Sequence, residues 1–360
     1  MATRDPLEGA VFSRRDIIRY AAWMGSSLGV VGSAGCTAPG SSLAGGHAAS
    51  SSTVEGEAPS SAAEAPLARS RRRFEMKKSI NLWAFPYPRL MSLEDCFRLA
   101  GRAGFDAVEV NYDLENDLSD RAGDRELHAI RRAAEKAGVE ISGVCSFLFW
   151  PFPFTAGSEA TRRRAIELAS NMIRAAAKLG TDNLLVVPGA VNIPWIEDSE
   201  HVPYKLCDER ARAAVTQLLP LAKKHRVHLN IENIFFNAYL MSPPDMIEFV
   251  DSFGSEWVHV HFDTGNIMPL QFPEDWIPLL GRRIRNIHFK EYTKKGTDFS
   301  LESFRPLLDG TTDWPKVMEA LAAIDYGGYL TFEYFHPFQH YPEALVYQAS
   351  DALDRMLGRG

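Results

Sequence analysis

Cysteine is scarce in this sequence, with four cysteines in 360 residues. They are Cys36, Cys96, Cys145 and Cys207. So few thiols at such wide spacing argue against a disulfide framework and against a zinc knuckle. Cys96 falls within a helical pattern and Cys145 within a strand-like one, so we expect both to serve as small apolar core residues.

Positive charge is also in deficit. The chain has 39 lysines and arginines against 46 aspartates and glutamates, and its formal net charge is -7 with histidine neutral. A surface of that sign repels phosphate backbones, so nucleic acid is not an expected partner. The one basic cluster consists of Arg71, Arg72, Arg73, Lys77 and Lys78. We interpret this cluster as a solvated run of linker charges.

Residues 1–36 have the character of an export signal rather than of a folded segment. The adjacent Arg14 and Arg15 precede a mostly apolar stretch over residues 20–31, which is too short to span a bilayer securely. The paired arginines resemble a twin-arginine signal. An ordinary signal or a misassigned start codon is the alternative.

The segment that follows predicts a tether. Residues 33–36 (SAGC) resemble a bacterial lipoprotein cleavage site, with Cys36 as the lipidated residue. Residues 37–75 are rich in Ala, Ser, Gly and Pro, which is the composition of a disordered linker. We therefore predict export by the twin-arginine route, to a periplasmic location or to one held at the membrane by a lipid anchor at Cys36.

Residues 76–358 alternate short β-rich runs with amphipathic helical stretches, which predicts βαβ units and a parallel sheet. Eight such units in about 280 residues predict a single α/β domain, a (β/α)8 TIM barrel. A doubly wound open sheet is disfavoured because no glycine-rich phosphate loop follows any strand. The predicted strands are residues 79–85, 107–112, 140–147, 183–189, 227–233, 258–263, 284–290 and 329–335.

Helix signals separate these strands. Ser92 and Gly104 mark the two ends of a helix over residues 92–103, and Gly180 ends another over residues 158–179. Two further helices are predicted over residues 125–137 and 208–224.

Alternation within the strands decides which side chains enter the barrel. In each of the last four strands the aliphatic and aromatic residues share one face, which should contact the surrounding helices. The other face ends, in turn, with Glu232, Asp263, His288 and Glu333. Each of these residues lies at the C-terminal end of its strand, where barrel active sites form.

Three carboxylates and one imidazole converging on one barrel mouth need a cation. A lone buried carboxylate costs several kcal/mol unless it is paired or bound to metal. We therefore predict that these four residues bind one divalent metal. An oxygen-rich site without thiolates favours Mn²⁺, with Mg²⁺ or Co²⁺ as alternatives, over structural zinc.

At these residues the chain resembles the sugar phosphate isomerase/epimerase superfamily of xylose isomerase-like barrels, over residues 77–356. The motifs are residues 230–233 (NIEN), 262–266 (FDTGN), 287–291 (IHFKE) and 331–334 (TFEY). The resemblance implies that the four residues named above bind one divalent metal. It also implies that Glu232 and Glu333 act as the catalytic acid and base.

Three positions depart from the pattern common among ketose 3-epimerases of this superfamily. Asn266 stands where these enzymes often have His, Lys294 where they often have Arg, and Ala238 where they have a second Glu. The resemblance therefore predicts the metal site and leaves the sugar open.

Further residues are candidates for contact with the substrate. Glu109 is inward by parity on the second strand, with an internal ion pair as the alternative. Lys290 is inward beside His288, with pairing to a carboxylate as the alternative. The polar residues expected to bind substrate are Glu109, Asn266, Lys290 and Lys294. The aromatic residues expected either to stack on a sugar or to pack at the barrel rim are Trp83, Phe85, Phe149 and Trp150.

These features predict a metal-dependent isomerase or epimerase of a small sugar, a ketose or keto-sugar acid, working by proton transfer through an enediolate. Export argues against a phosphorylated substrate. The alternatives are a lyase or dehydratase, as in inosose dehydratases of this fold, and a non-catalytic anchored sugar-binding protein. The endonuclease branch would need more histidine ligands and a basic face. The sequence is compatible with an oligomer.

Overall fold

The computed structural model describes residues 74–359 except 197, 296–298 and 336. The predicted signal, Cys36 and the linker up to residue 73 lie outside the described residues. Export and lipid anchoring therefore stay predictions, which fractionation of the native host would test. Among the described residues, no helix is both long and apolar enough to cross a membrane.

Eight parallel strands close into a barrel, in the order β1-β10-β7-β6-β5-β4-β3-β2. They are β1 (Lys77–Asn81), β2 (Ala107–Asn111), β3 (Glu140–Cys145), β4 (Asn183–Val186), β5 (His228–Glu232), β6 (Val258–Asp263), β7 (Ile284–Phe289) and β10 (Tyr329–Phe332). Two short strands, β8 (Glu291–Tyr292) and β9 (Phe304–Arg305), pair antiparallel outside the barrel. Each predicted strand overlaps one barrel strand, which confirms the predicted architecture.

Within the described residues, eight α-helices surround the barrel. They are α1 (Leu93–Ala103), α2 (Asp124–Ala137), α3 (Glu159–Leu179), α4 (Tyr204–His225), α5 (Pro243–Asp251), α6 (Pro273–Leu280), α7 (Trp314–Ala323) and α8 (Glu343–Leu357). The predicted caps are confirmed at α1: the Ser92 side chain accepts from Asp95 N, and Gly104 takes the left-handed conformation with φ 87°.

The outward faces of the strands pack against these helices. Phe262 on β6 stacks on Trp276 of α6 with ring centroids 5.9 Å apart, and Phe289 on β7 stacks on Trp314 of α7 at 4.8 Å. All four rings are buried. The hydrophobic core is thus the layer between barrel and helices, and the polar face of each strand is left for the barrel interior.

The first strand corrects one interpretation. Lys77 and Lys78 belong to β1 and not to a solvated linker. Each lysine also has an acidic partner in the fold. The Lys77 Nζ lies 2.7 Å from a Glu140 oxygen, and the buried Lys78 Nζ lies 2.7 Å from Asp354 Oδ2. Phe74 N already donates to Leu357 O at the end of α8, so the chain joins the fold two residues before the predicted boundary at residue 76.

The loop between β7 and α7 is held by one buried carboxylate. The Glu291 oxygens accept hydrogen bonds from the Thr312 hydroxyl (2.6 Å) and from Trp314 Nε1 (2.6 Å). They also accept from the backbone N–H groups of Tyr292, Leu308 and Thr312. A β carbon at Gly310 would come within 2.2 Å of the same carboxylate, so the loop closes tightly around it. Hydrogen bonds to a charged acceptor are the strong class, so Glu291 fixes the shape of this loop.

We expect Glu291→Gln to lower the free energy of unfolding by about 2–4 kcal/mol, because the amide NH₂ would face donors that now bind a carboxylate oxygen. Urea unfolding measures this change. Glu302→Gln is the matched control: Glu302 is exposed in the same loop, and its substitution should change stability by less than about 0.5 kcal/mol. A loss for Glu291→Gln no larger than that of the control would contradict the role of Glu291.

Candidate metal centre

The four predicted ligands meet at one point of the barrel mouth. Glu232 and Asp263 are the last residues of β5 and β6, and His288 lies one residue before the end of β7. Glu333 directly follows β10, and its N–H donates to Phe289 O. Because β5, β6, β7 and β10 are neighbours in the barrel, their C-terminal ends bring the four side chains together.

The donor atoms of these residues form a compact set around His288 Nδ1. This nitrogen lies 3.2 Å from a Glu232 oxygen, 3.3 Å from a Glu333 oxygen and 3.8 Å from Asp263 Oδ2. One ligand atom from each of the four residues lies within 4.8 Å of the others. All four side chains are buried.

This geometry fits a divalent ion. Oxygen and nitrogen ligands lie roughly 2.0–2.4 Å from Mn²⁺- or Mg²⁺-like ions, so donors around one ion are separated by up to about twice that length. The four ligand atoms lie within 4.8 Å of one another, which one such ion can span. Three buried carboxylates beside one imidazole and one ammonium also leave a charge imbalance that a divalent ion would remove.

Asp263 is oriented by the backbone around it. Its Oδ1 accepts from the N–H groups of Gly265 (2.8 Å) and Asn266 (2.7 Å), which leaves Oδ2 facing His288. The Asn233 side chain accepts from Asp263 N and donates to Asp263 O. A β carbon at position 265 would lie 2.9 Å from Lys290 O, so only glycine allows this turn to pass so close to β7.

His288 is held from its other nitrogen. Its Nε2 lies 2.7 Å from Glu109 Oε2, and the same Glu109 oxygen accepts from Asn81 Nδ2 at 2.6 Å. A carboxylate on the far ring nitrogen fixes the orientation of a metal-ligating histidine and raises its basicity. These contacts favour the ion-pair alternative for Glu109. Its substrate contact stays a prediction, and the side chain is fully buried beneath the metal site.

The two glutamates have opposite electrostatic environments. Burial raises the pKa of Glu232 to about 7, against the lowering effect of His288. Burial likewise raises the pKa of Asp263 to about 6, against Lys290. For Glu333, His288 and Lys290 outweigh burial and hold its pKa below the usual range. Burial lowers the pKa of His288, but the Glu333 and Glu109 carboxylates raise it well above its ordinary value.

Lys290 is the cation of the site. Its Nζ lies 2.5 Å from Glu333 Oε2 and 3.4 Å from Asp263 Oδ2, and it donates to Asn266 Oδ1 at 3.3 Å. The same ammonium lies 4.4 Å from the Phe335 ring centroid. Both Lys290 and Asn266 line the cavity above the metal site, as do Glu232 and Glu333.

The walls of the cavity are mostly apolar, with six aromatic and four aliphatic residues among the fifteen that line it. On one side the Trp83 ring lies 4.0 Å from that of Phe147 and 5.2 Å from that of Phe335. On the other side Trp195 lies between Trp150 and Phe235, with centroids 5.8 Å apart in each pair. Two of the predicted aromatic residues, Trp83 and Trp150, thus line the cavity.

Other predicted residues lie elsewhere. Phe85 and Phe149 are buried in the core. Lys294 does not line the cavity: its Nζ donates to Gln271 O at 3.1 Å and lies over the Phe272 ring. The position six residues after His288 therefore does not reach the substrate side of the barrel.

Several site residues went unnoticed in the sequence. Asn233 carried a signal, since it directly follows Glu232 in a motif. Asn81 is the last residue of β1, and Glu109 lies on the neighbouring strand β2. The pairing of these two strands places Asn81 beside Glu109, which the sequence could have indicated. The remaining wall residues lie outside the barrel strands, where strand parity gives no direction: Phe147 and Leu301 begin short 3₁₀ helices, and Trp195, Phe235 and Phe335 lie in loops.

Comparisons with known proteins agree with this barrel. Residues 97–356 match the family described as Xylose isomerase-like TIM barrel. A protein of Escherichia coli K12, provisionally named L-ribulose-5-phosphate 3-epimerase SgbU, is 29% identical over 244 residues, which are 65% of this chain and 81% of that protein.

Solved structures share the fold. An L-ribulose 3-epimerase superposes with a TM-score of 0.64 at 19% identity, over 79% of this chain and 95% of its own. A D-psicose 3-epimerase crystallised with D-fructose superposes with a TM-score of 0.62 at 18% identity, over 79% of this chain and 100% of its own. At these identities the likeness concerns the fold.

We expect metal to stabilise the protein more at high pH than at low pH. Because the pKa values of Glu232 and Asp263 are raised, the metal-free native state binds protons more tightly than the unfolded chain does. The stability that these two protonated carboxyl groups contribute to the metal-free protein is therefore lost as pH rises through about 6 to 7. Metal needs the same carboxylates without protons, so added Mn²⁺ should raise the Tm more at about pH 8 than at about pH 5.5.

Thermal melts with EDTA or Mn²⁺ at the two pH values measure this difference. Asp263→Asn is the comparison variant and should respond little to Mn²⁺ at either pH. An equal rise in Tm at both pH values would contradict the site, as would the same response in Asp263→Asn.

Proposed function

The chain belongs to the xylose isomerase-like TIM barrel family, and on that premise we propose that it is a divalent-metal-dependent isomerase or epimerase of a small sugar. The substrate would be a ketose or keto-sugar acid, and the reaction a proton transfer through an enediolate. Curated and structural relatives named as sugar 3-epimerases support this class of enzyme.

The observation that carries the proposal is a pair of buried glutamates facing one cavity. Glu232 and Glu333 both line it, and β6 and β7, the strands of Asp263 and His288, lie between their strands. A sugar held above the metal site would therefore have one carboxylate toward each side. Epimerisation beside a carbonyl needs this arrangement, since one proton leaves a carbon from one face and another arrives on the opposite face.

The two glutamates are suited to complementary roles. Lys290 and His288 keep Glu333 ionised, so Glu333 can accept a proton from carbon. Glu232 is less stabilised as an anion, since its flanking charges are other carboxylates and the shared His288. The two carboxylates lie on opposite sides of the site and can therefore serve as base and acid in turn. Glu109 and Asn233 act indirectly, by holding His288 and Asp263 in place.

Glu232, Asp263, His288 and Glu333 would hold the metal, and we propose Mn²⁺, with Mg²⁺ or Co²⁺ as alternatives. When bound, such an ion polarises the carbonyl and hydroxyl oxygens of a sugar and stabilises the enediolate. The aromatic residues of the walls offer apolar faces to the C–H side of the sugar.

A metal-dependent lyase or dehydratase is the second candidate. The same two glutamates could remove a proton from carbon and give one to a departing hydroxyl. The two reactions differ in product, because the lyase loses water while the epimerase returns a solvent-derived proton to the same carbon skeleton.

We expect Glu232→Gln and Glu333→Gln each to lower kcat by about 10²–10⁴-fold, because an amide neither accepts nor donates the transferred proton. The assay incubates Mn²⁺-loaded protein with a panel of ketoses in D₂O and follows deuterium in the recovered sugars by mass spectrometry. Deuterated epimer supports the proposal, and a product lighter by water supports the lyase.

Glu140→Gln is the matched control, since Glu140 lies at the opposite end of the barrel and contacts Lys77 and Tyr329. Its turnover should stay within about threefold of the parent. Turnover in either site variant as high as in the control would contradict the assigned roles. A protein that binds sugar without turnover in any form would identify the non-catalytic alternative.

A further inference from the structure

The cavity above the metal site offers little positive charge to a substrate. Among its lining residues within the described part of the chain, Lys290 is the sole cation. The others are aromatic or aliphatic, apart from Ser146, Asn266 and the two glutamates. A phosphate group is normally met by arginines, lysines or a cluster of backbone N–H groups.

The positive charge of Lys290 is already paired with carboxylates of the site. Its Nζ contacts Glu333 and Asp263, is 4% exposed as a residue, and lies against the Phe304 and Phe335 rings. With a divalent ion bound, the ion and this ammonium together balance the three carboxylates of the site. Glu109 beneath His288 adds a further negative charge. A phosphate dianion in the same cavity would therefore lack compensation, and burying it would be costly.

Part of the usual anion site of this fold, the loop after the seventh strand, is filled by the protein itself. In many barrels the loops after the seventh and eighth strands, with a helix N-terminus, hold a phosphate. Here the loop after β7 points three backbone N–H groups, one hydroxyl and one indole N–H at Glu291. In the first turn of the next helix, α7, the Lys316 N–H donates a hydrogen bond to the Asp313 side chain. Carboxylates thus occupy the donors that a phosphate would use.

We propose that the substrate of this site is an unphosphorylated sugar, held by its hydroxyl groups at the metal and by its C–H faces against the aromatic walls. This rests on the proposed function for the site itself. It departs from the substrate in the name of the curated relative, a 5-phosphate of L-ribulose. The selectivity comes from three features on one side of the barrel: neutral walls, a neutralised Lys290, and a loop whose donors are taken by Glu291.

Matched pairs of sugars test the proposal by binding, independently of turnover. The probes are L-ribulose and L-ribulose 5-phosphate, D-fructose and D-fructose 6-phosphate, and D-tagatose and D-tagatose 6-phosphate. Binding to Mn²⁺-loaded full-length protein is followed by quenching of tryptophan fluorescence, because Trp83, Trp150 and Trp195 line the cavity. In at least one pair we expect the free sugar to bind at least about tenfold more tightly than its phosphate.

Tighter or equal binding of the phosphates overturns the proposal, and so does an absence of binding by every free sugar. The proposed function fails differently: free sugars would bind with the expected preference while no deuterium from D₂O entered any of them.

A variant with an added cation gives the converse test. Leu301 lines the cavity and Leu308 is exposed in the same loop. Leu301→Arg should tighten binding of the phosphates by about tenfold or more relative to the parent, whereas Leu308→Arg should leave it unchanged. Unchanged phosphate binding in a folded Leu301→Arg would show that cavity charge does not set the selectivity.

Discussion

The convergence of three buried carboxylates on one imidazole nitrogen is the constraint that organises the rest of this structure. Glu232, Asp263 and Glu333 all approach His288 Nδ1 within 3.8 Å. Such a concentration of negative charge is unstable without compensation. Lys290 supplies one positive charge, and the remaining imbalance is what a divalent ion would relieve.

The barrel produces this arrangement through strand order and register. The strands β5, β6, β7 and β10 are adjacent in the barrel, so residues at their C-terminal ends lie side by side. The apolar alternate residues of the same strands pack under the helices, as Phe262 and Phe289 do. The packing that stabilises the barrel therefore also sets which way the ligands point. Polar contacts then orient each ligand: backbone N–H groups hold Asp263, and Glu109 holds His288.

The convergence of the four candidate ligands was predictable from the sequence because they lie on strands or directly after them, where period-two alternation gives each side chain a direction. The walls of the cavity were harder to predict, since Phe147 begins a short 3₁₀ helix and Trp195 and Phe335 lie in loops. The paths of these segments depend on tertiary contacts. Lys294 shows the same limit: its distance from His288 along the chain suggested substrate contact, but its ammonium contacts Gln271 and Phe272 outside the cavity. Lys78 was misassigned because its partners, Ser350 and Asp354, lie more than 270 residues further along the chain.

The central claim is that these four side chains bind one divalent ion. Its most direct test is elemental analysis of the purified protein after loading with Mn²⁺ and removal of free metal. We expect about one equivalent per chain, held by deprotonated ligands near neutral pH. Less than about a tenth of an equivalent after the same loading would contradict the metal centre, and with it the chemistry proposed for the two glutamates.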